Sequence, residues 1–96
     1  MSFELGFLDD ALKEWGKLDG GIREQFKRKL AERLIAPRVP SALLAGQRAR
    51  YKIKLRGVGY RLVYEVRDKQ LIVVVVAVGK RERNAVYKAA ARRQAC

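Results

Sequence analysis

Lys52 and Lys54 stand two apart in Tyr51-Lys-Ile-Lys-Leu-Arg56, where apolar and basic residues alternate strictly. On a β-strand, side chains two apart share a face. Lys52, Lys54 and Arg56 therefore lie on one surface, while Tyr51, Ile53 and Leu55 turn to a core. A second alternating stretch, Tyr60 to Arg67, follows Gly57-Val58-Gly59. If that hairpin keeps the apolar sets together, Arg61 joins the lysines. Further on come Gly79-Lys80-Arg81-Glu82-Arg83 and Tyr87. Arg83 and Tyr87, four apart, share a face if helical, and Arg81 meets Tyr87 from a strand-to-helix turn. A surface of two lysines, at least two arginines and a tyrosine has three readings: a solvated face that keeps a sheet soluble, a phosphate-binding surface, or a site of phosphodiester cleavage.

The chain contains no His, so cleavage of RNA would need another group to take the 2′-hydroxyl proton. Crowded cations favour this, because each like charge nearby disfavours protonation and moves a lysine toward neutrality. Guanidiniums stay charged and suit the phosphate and its developing charge. Tyr87 offers a ring to stack on a base. No metal site is expected: the second half holds only Glu65, Asp68 and Glu82, never two at a useful spacing, and the single Cys is Cys96. No cofactor is expected either.

Composition agrees with a polyanionic partner. The 96 residues carry 22 Lys+Arg against 10 Asp+Glu, net +12. The excess is one-sided: residues 49–96 hold thirteen basic groups and three acidic ones, net +10. Such a field points to nucleic acid before a membrane surface. The length fits one domain, residues 1–96. The lone Cys fits a reducing compartment, the N-terminus is unlike a signal peptide, and the longest apolar run, Leu71 to Val78, is far short of the roughly 20 residues of a membrane helix. A soluble, cytoplasmic protein with no membrane partner is expected.

The elements that must position these residues follow from periodicity. Phe3, Leu5 and Phe7 alternate and predict a short strand. Leu8, Ala11, Leu12, Trp15 and Leu18 fall at helical spacing behind Asp9 and Asp10. Asp19-Gly20-Gly21 breaks that helix, and Asp19 is placed to cap a second one with Ile22, Phe26, Leu30 and Leu34 on its apolar stripe. Pro37 ends it. A loop with one helical turn at Ser41–Leu44 leads into three strands, Tyr51–Arg56, Tyr60–Arg67 and Leu71–Val78. The last is continuously apolar and reads as central. Lys80 to Arg93 reads as a terminal helix. The expected class is α+β, in the order β-α-α-β-β-β-α: an antiparallel sheet with an N-terminal helical hairpin and a C-terminal helix.

Tyr51-Lys-Ile-Lys-Leu-Arg56, Gly59-Tyr-Arg-Leu-Val-Tyr64, Val78-Gly-Lys-Arg-Glu-Arg83 and Val86-Tyr87, with Ala11-Leu-Lys-Glu-Trp15 and Arg23-Glu-Gln25, together resemble the RelE toxins of bacterial type II toxin–antitoxin systems. The likeness runs from about Phe3 to Ala90 without a gap. It implies a small microbial-RNase-like fold and metal-independent cleavage of mRNA in the ribosomal A site, with the 2′-hydroxyl attacking the adjacent phosphate and a 5′-hydroxyl product. By resemblance, Lys52 and Lys54 serve proton abstraction and phosphate contact, with Lys54 preferred as base. Arg61 stabilises the transition-state phosphate, Arg81 acts on the leaving group, and Tyr87 stacks on the codon. Arg56, Lys80, Arg83 and Lys88 are expected to contact RNA or the ribosome.

The resemblance further implies the 70S ribosome with its 16S rRNA and mRNA as partners, a RelB-like antitoxin, and operator DNA reached through that antitoxin. Two departures from the family pattern stand out: Ala45 before Gly46, where relatives often carry a basic residue, and the tail Arg92–Cys96. The alternatives are a ParE-like gyrase inhibitor on the same fold and a non-catalytic RNA-binding module.

Overall fold

Four strands and three helices order the chain in the computed structural model, which describes residues 2–46, 49–82 and 84–93. Strand β1 (Glu4–Phe7) is followed by α1 (Asp9–Gly16) and α2 (Gly20–Ile35), then a single 3₁₀ turn at Pro40–Ala42. Strands β2 (Arg50–Leu55), β3 (Tyr60–Arg67) and β4 (Ile72–Lys80) come next, and α3 (Ala85–Arg92) closes the chain. The element order is the expected one. The sheet order is β1-β4-β3-β2. The last three strands are antiparallel as expected, whereas β1 joins β4 in parallel and makes the sheet mixed.

β4 is central because its side chains are buried on both faces, Val73 to Val78 being at most 6% exposed. One face carries Phe26 and Leu30 of α2 against Ile53, Leu62, Tyr64 and Val75. Trp15 of α1 reaches this layer, its ring 6.2 Å from Phe26 and 5.3 Å from Phe7. The other face is smaller: Val63, Val76 and Ala77 meet Val86 and Ala90 of α3. Pairing shifts between Val63 and Tyr64, which oppose Ala77 and Val75. Val76 is the extra residue, and such a bulge explains why it and Ala77 both serve the α3 side.

Local expectations need three corrections. The break between the first two helices falls at Lys17–Asp19, and Gly20 and Gly21 already belong to α2. Asp19 occupies the N-cap position, yet its side chain makes no capping hydrogen bond. The terminal helix does not begin at Lys80: that residue pairs with Tyr60 at the end of β4, and the helix starts only at Ala85. The reason is at Asn84, whose φ of 61° lies in the left-handed region that asparagine tolerates and most residues avoid.

Past Phe7, β1 no longer covers the outer edge of β4. There the Glu14 carboxylate accepts the Val78 N–H at 3.2 Å, and Arg93 donates to the Val76 carbonyl at 2.8 Å. The same guanidinium grips both Glu14 oxygens at 2.9 Å. Polar groups that an edge strand would leave bare are thereby satisfied. Among the described residues, no helix is long and apolar enough to cross a membrane.

Candidate nucleic-acid active site

The strand register assembles the site. Lys54 pairs with Arg61, and Arg61 with Gly79, so three strands bring one row together at the sheet margin. In the next row, Leu55, Tyr60 and Lys80 align. Beyond the strand ends, the Gly59 carbonyl accepts the Arg81 N–H at 2.6 Å, which fixes the Arg81 backbone beside the hairpin. Gly59 itself has φ of 69°, a conformation that suits glycine. The left-handed turn at Asn84 then sends α3 back over the sheet, with Val86 buried and Tyr87 half-buried.

These elements enclose a cavity of about 400 Å³ lined by Lys54, Arg56, Arg61, Lys80, Arg81 and Tyr87, together with Glu82 and Asn84–Val86. Five cations meet one carboxylate there. Arg61 is only 8% exposed. Its guanidinium donates to the Tyr60 carbonyl at 3.0 Å, and no carboxylate among the described residues pairs with it. A buried charge without a counter-ion is costly, which is the condition expected of a group reserved for an anionic ligand. The Tyr87 hydroxyl is likewise buried and without a hydrogen-bond partner among the described residues.

Lys54 is exposed, and its pKa is lowered from the ordinary lysine value. The positive charge of Lys52 is the largest cause, followed by desolvation and then by Arg61, Arg56 and Arg81. The like charges that the strand spacing led one to expect thus surround Lys54.

Of the nine residues expected to act, Lys54, Arg56, Arg61, Lys80, Arg81 and Tyr87 meet in the cavity. Lys52 does not line it. Lys52 lies two residue pairs further along the sheet, opposite Val63, and bears on the site through its charge on Lys54. Lys88 is exposed on α3 away from the lining, and Arg83 lies outside the described residues. Ala45 is in a turn before β2 and is not part of the wall. Of the unusual tail, Arg92 and Arg93 are described, Arg93 as the anchor to Glu14, and Gln94–Cys96 lie outside the described residues.

Sequence reasoning passed over Glu82 and Asn84. A helix drawn through Lys80–Arg93 conceals both. The signal that was available is Asn84 itself, a residue type at home in αL turns, just ahead of the Ala-rich run.

Comparison with known proteins supplies a family. Residues 5–85 match the model of the ParE toxin of the type II toxin–antitoxin system parDE. The mRNA interferase toxin RelE of Escherichia coli strain K12 is 52% identical over 93 residues, 97% of this chain and 98% of that protein. A free-state structure of E. coli toxin RelE, an arginine-to-alanine double mutant, superimposes with a TM-score of 0.89 at 49% identity, covering 97% of this chain and 98% of the other. The toxin in the intact E. coli RelBE toxin–antitoxin complex matches with a TM-score of 0.82 at 51% identity, covering 85% of this chain and all of that one.

Proposed function

The chain belongs to the RelE family of type II toxins, within the RelE/ParE superfamily, and from that premise we propose that it is a toxin that cuts mRNA in the ribosomal A site without a metal ion. The observation that carries this reading is the convergence of Lys54, Arg61, Arg81 and Tyr87 on one cavity, with Arg61 buried there and unpaired with any described carboxylate.

Lys54, held below the usual lysine range, takes the proton from the 2′-hydroxyl. The 2′-oxygen forms its bond to the adjacent phosphorus, and the bond from phosphorus to the 5′-oxygen breaks. Arg61 stabilises the charge on the phosphoryl oxygens. Arg81 stabilises the departing 5′-oxygen, which takes its proton from solvent, because a guanidinium does not deprotonate in proteins. The products are a 2′,3′-cyclic phosphate and a 5′-hydroxyl. Tyr87 stacks on a codon base and offers it a hydroxyl that has no hydrogen-bond partner among the described residues. Arg56 and Lys80 in the cavity lining, together with Lys52, Arg83 and Lys88, supply phosphate contacts to message and 16S rRNA.

The relative in the RelBE complex is bound by its antitoxin. A RelB-like antitoxin is proposed here as well, its acidic surface matched to a +12 toxin, and the pair is proposed to act together on operator DNA. The match to the ParE model keeps one second reading, gyrase inhibition. Purified protein incubated with programmed ribosomes and a defined message, read by primer extension, separates the two. Cleavage within the A-site codon only when ribosomes are present supports the nuclease. An intact message together with inhibited gyrase supercoiling supports the ParE-like reading.

A further inference from the structure

We propose that Arg50, at the start of β2 and remote in sequence from Tyr87, is a positioning residue for that tyrosine: its guanidinium clamps the C-terminal end of α3 and so sets one wall of the cavity. The inference rests on the proposed function only for its activity readout.

α3 has eight residues and buries only Val86 and Ala90. A helix of two turns does not hold itself together in water, so its placement depends on what grips it. Its last carbonyls carry the negative end of the helix dipole, and the Ala90 carbonyl, which accepts the Arg93 N–H at 3.1 Å, keeps a second lone pair to be filled. Arg50 supplies both needs. It is 8% exposed, and it donates through Nη1 to the Ala90 carbonyl and through Nη2 to the Arg93 carbonyl at 2.7 Å. Its Nε donates to Glu65 Oε1 at 3.1 Å, and Glu65 is the residue paired with it across the β2–β3 ladder. The second Glu65 oxygen is held by Arg67 Nε, also at 3.1 Å. The carboxylate is thus fixed from two sides and aims the Arg50 fork at the helix.

Tyr87 precedes Ala90 by three residues and shares its side of the helix. With α3 pinned at Ala90 by Arg50 and at Arg93 by Glu14, tilting or sliding of the helix is restrained. The planar guanidinium spreads its donors over a rigid fork that reaches one carboxylate and two separate carbonyls at once. A lysine in its place keeps the charge and loses the fork.

The full-length chain with ring-labelled tyrosine tests the clamp by nuclear magnetic resonance and amide exchange, using Arg50→Lys, and Glu65→Gln as a second variant should the first fold poorly. The expected result is that the Tyr87 ring signal moves and α3 amides exchange about tenfold faster or more, while Tyr64 signals and β3–β4 amides hold. In message cleavage, Arg50→Lys lowers kcat/KM in the wild-type background and adds nothing in a Tyr87→Ala background. An unmoved Tyr87 signal, exchange that accelerates uniformly through the sheet, or additive losses in the double variant each overturn the proposal. A wild-type protein that leaves the message intact removes the nuclease reading, and ring signal and exchange then decide the clamp by themselves.

Discussion

Arg61→Met should make the protein more stable and the site inert. The wild-type guanidinium is 8% exposed, donates to the Tyr60 carbonyl, and has no carboxylate partner among the described residues. It also faces Lys54 across the antiparallel ladder, and like charges placed directly opposite one another are destabilising. Methionine keeps most of the stem's packing and removes the charge. Even paired buried ions, when replaced by apolar residues, often leave a protein about 1–4 kcal/mol more stable. An unpaired one should fall within that range, and a gain of about 2 kcal/mol corresponds to a rise in Tm of roughly 10 °C for a domain of this size.

Thermal and urea unfolding in phosphate-free buffer measures this effect. The measurement should be made at low and at about 0.15 M salt, because screening with a Debye length of about 8 Å weakens the repulsion with Lys54 and leaves the burial cost. Inorganic phosphate should raise the wild-type Tm and leave the variant's unchanged, while cleavage falls at least about a hundredfold. A variant less stable than wild type by more than about 1 kcal/mol would show the guanidinium to be satisfied within the fold, and the argument for a reserved anion site would fail.

Lys52→Gln removes the largest cause depressing the Lys54 pKa. The Lys54 Nζ titration should move toward the ordinary lysine value, and the alkaline-rising limb of the cleavage pH profile should move with it. Lys54→Met should be more stable than wild type at neutral pH. The lowered pKa means that the folded state sheds its proton before the unfolded chain does. Wild-type stability therefore recovers as pH rises from the folded pKa toward the unfolded value, and the gap between the two proteins closes over that window in urea titrations. Glu14→Gln breaks the paired grip on Arg93 and weakens the bond to the Val78 N–H. The expected loss is about 1–3 kcal/mol by denaturant unfolding. Asn84→Val forces a β-branched residue to φ 61°, which costs roughly 1–2 kcal/mol, whereas Asn84→Gly should be near neutral in the same assay.

Alternation in Tyr51–Arg56 and Tyr60–Arg67, joined by a short hairpin, was enough to put Arg61 on the same surface as Lys54, because a slip by one residue would turn the apolar set out of the core; that the two are directly paired is a matter of turn geometry. The continuous run Leu71–Val78 was legible as central because a strand apolar on both faces must be covered on both. What could not be read is where that run changes face. The bulge at Val76 is a pairing event between strands, and a chain apolar on both faces bears no mark of it. The parallel pairing of β1 is equally silent in four residues. The cavity was legible where its residues sit on strands or directly beside them, at Lys54 and Arg61 and at Arg56 just past the end of β2. It blurred at Lys80–Asn84, where a basic, Ala-rich run mimics a helix and one left-handed residue decides otherwise. The role of Arg50 depends on a helix end forty residues away in the chain, and no local pattern announces such a contact.

The distribution of carboxylates explains why the positive field of the second half collects at one end of the sheet. Residues 49–96 contain only Glu65, Asp68 and Glu82. Glu65 is taken by Arg50 and Arg67, and Asp68 by Arg38. Glu14, from the first half, is taken by Arg93. Each of these pairings neutralises a guanidinium away from the cavity, along the far ends of β2 and β3, in the turn after β3, or at the C-terminus of α3. Glu82 alone remains beside Lys54, Arg56, Arg61, Lys80 and Arg81. The end that holds the C-terminus of α3 is thus rich in partners, whereas the end that holds the cavity keeps a buried arginine with no carboxylate and a tyrosine hydroxyl with no partner among the described residues, and a left-handed asparagine. Stability gathered at the first end lets the second remain strained and unpaired, as a site must be if its missing counter-charge is to arrive with the substrate.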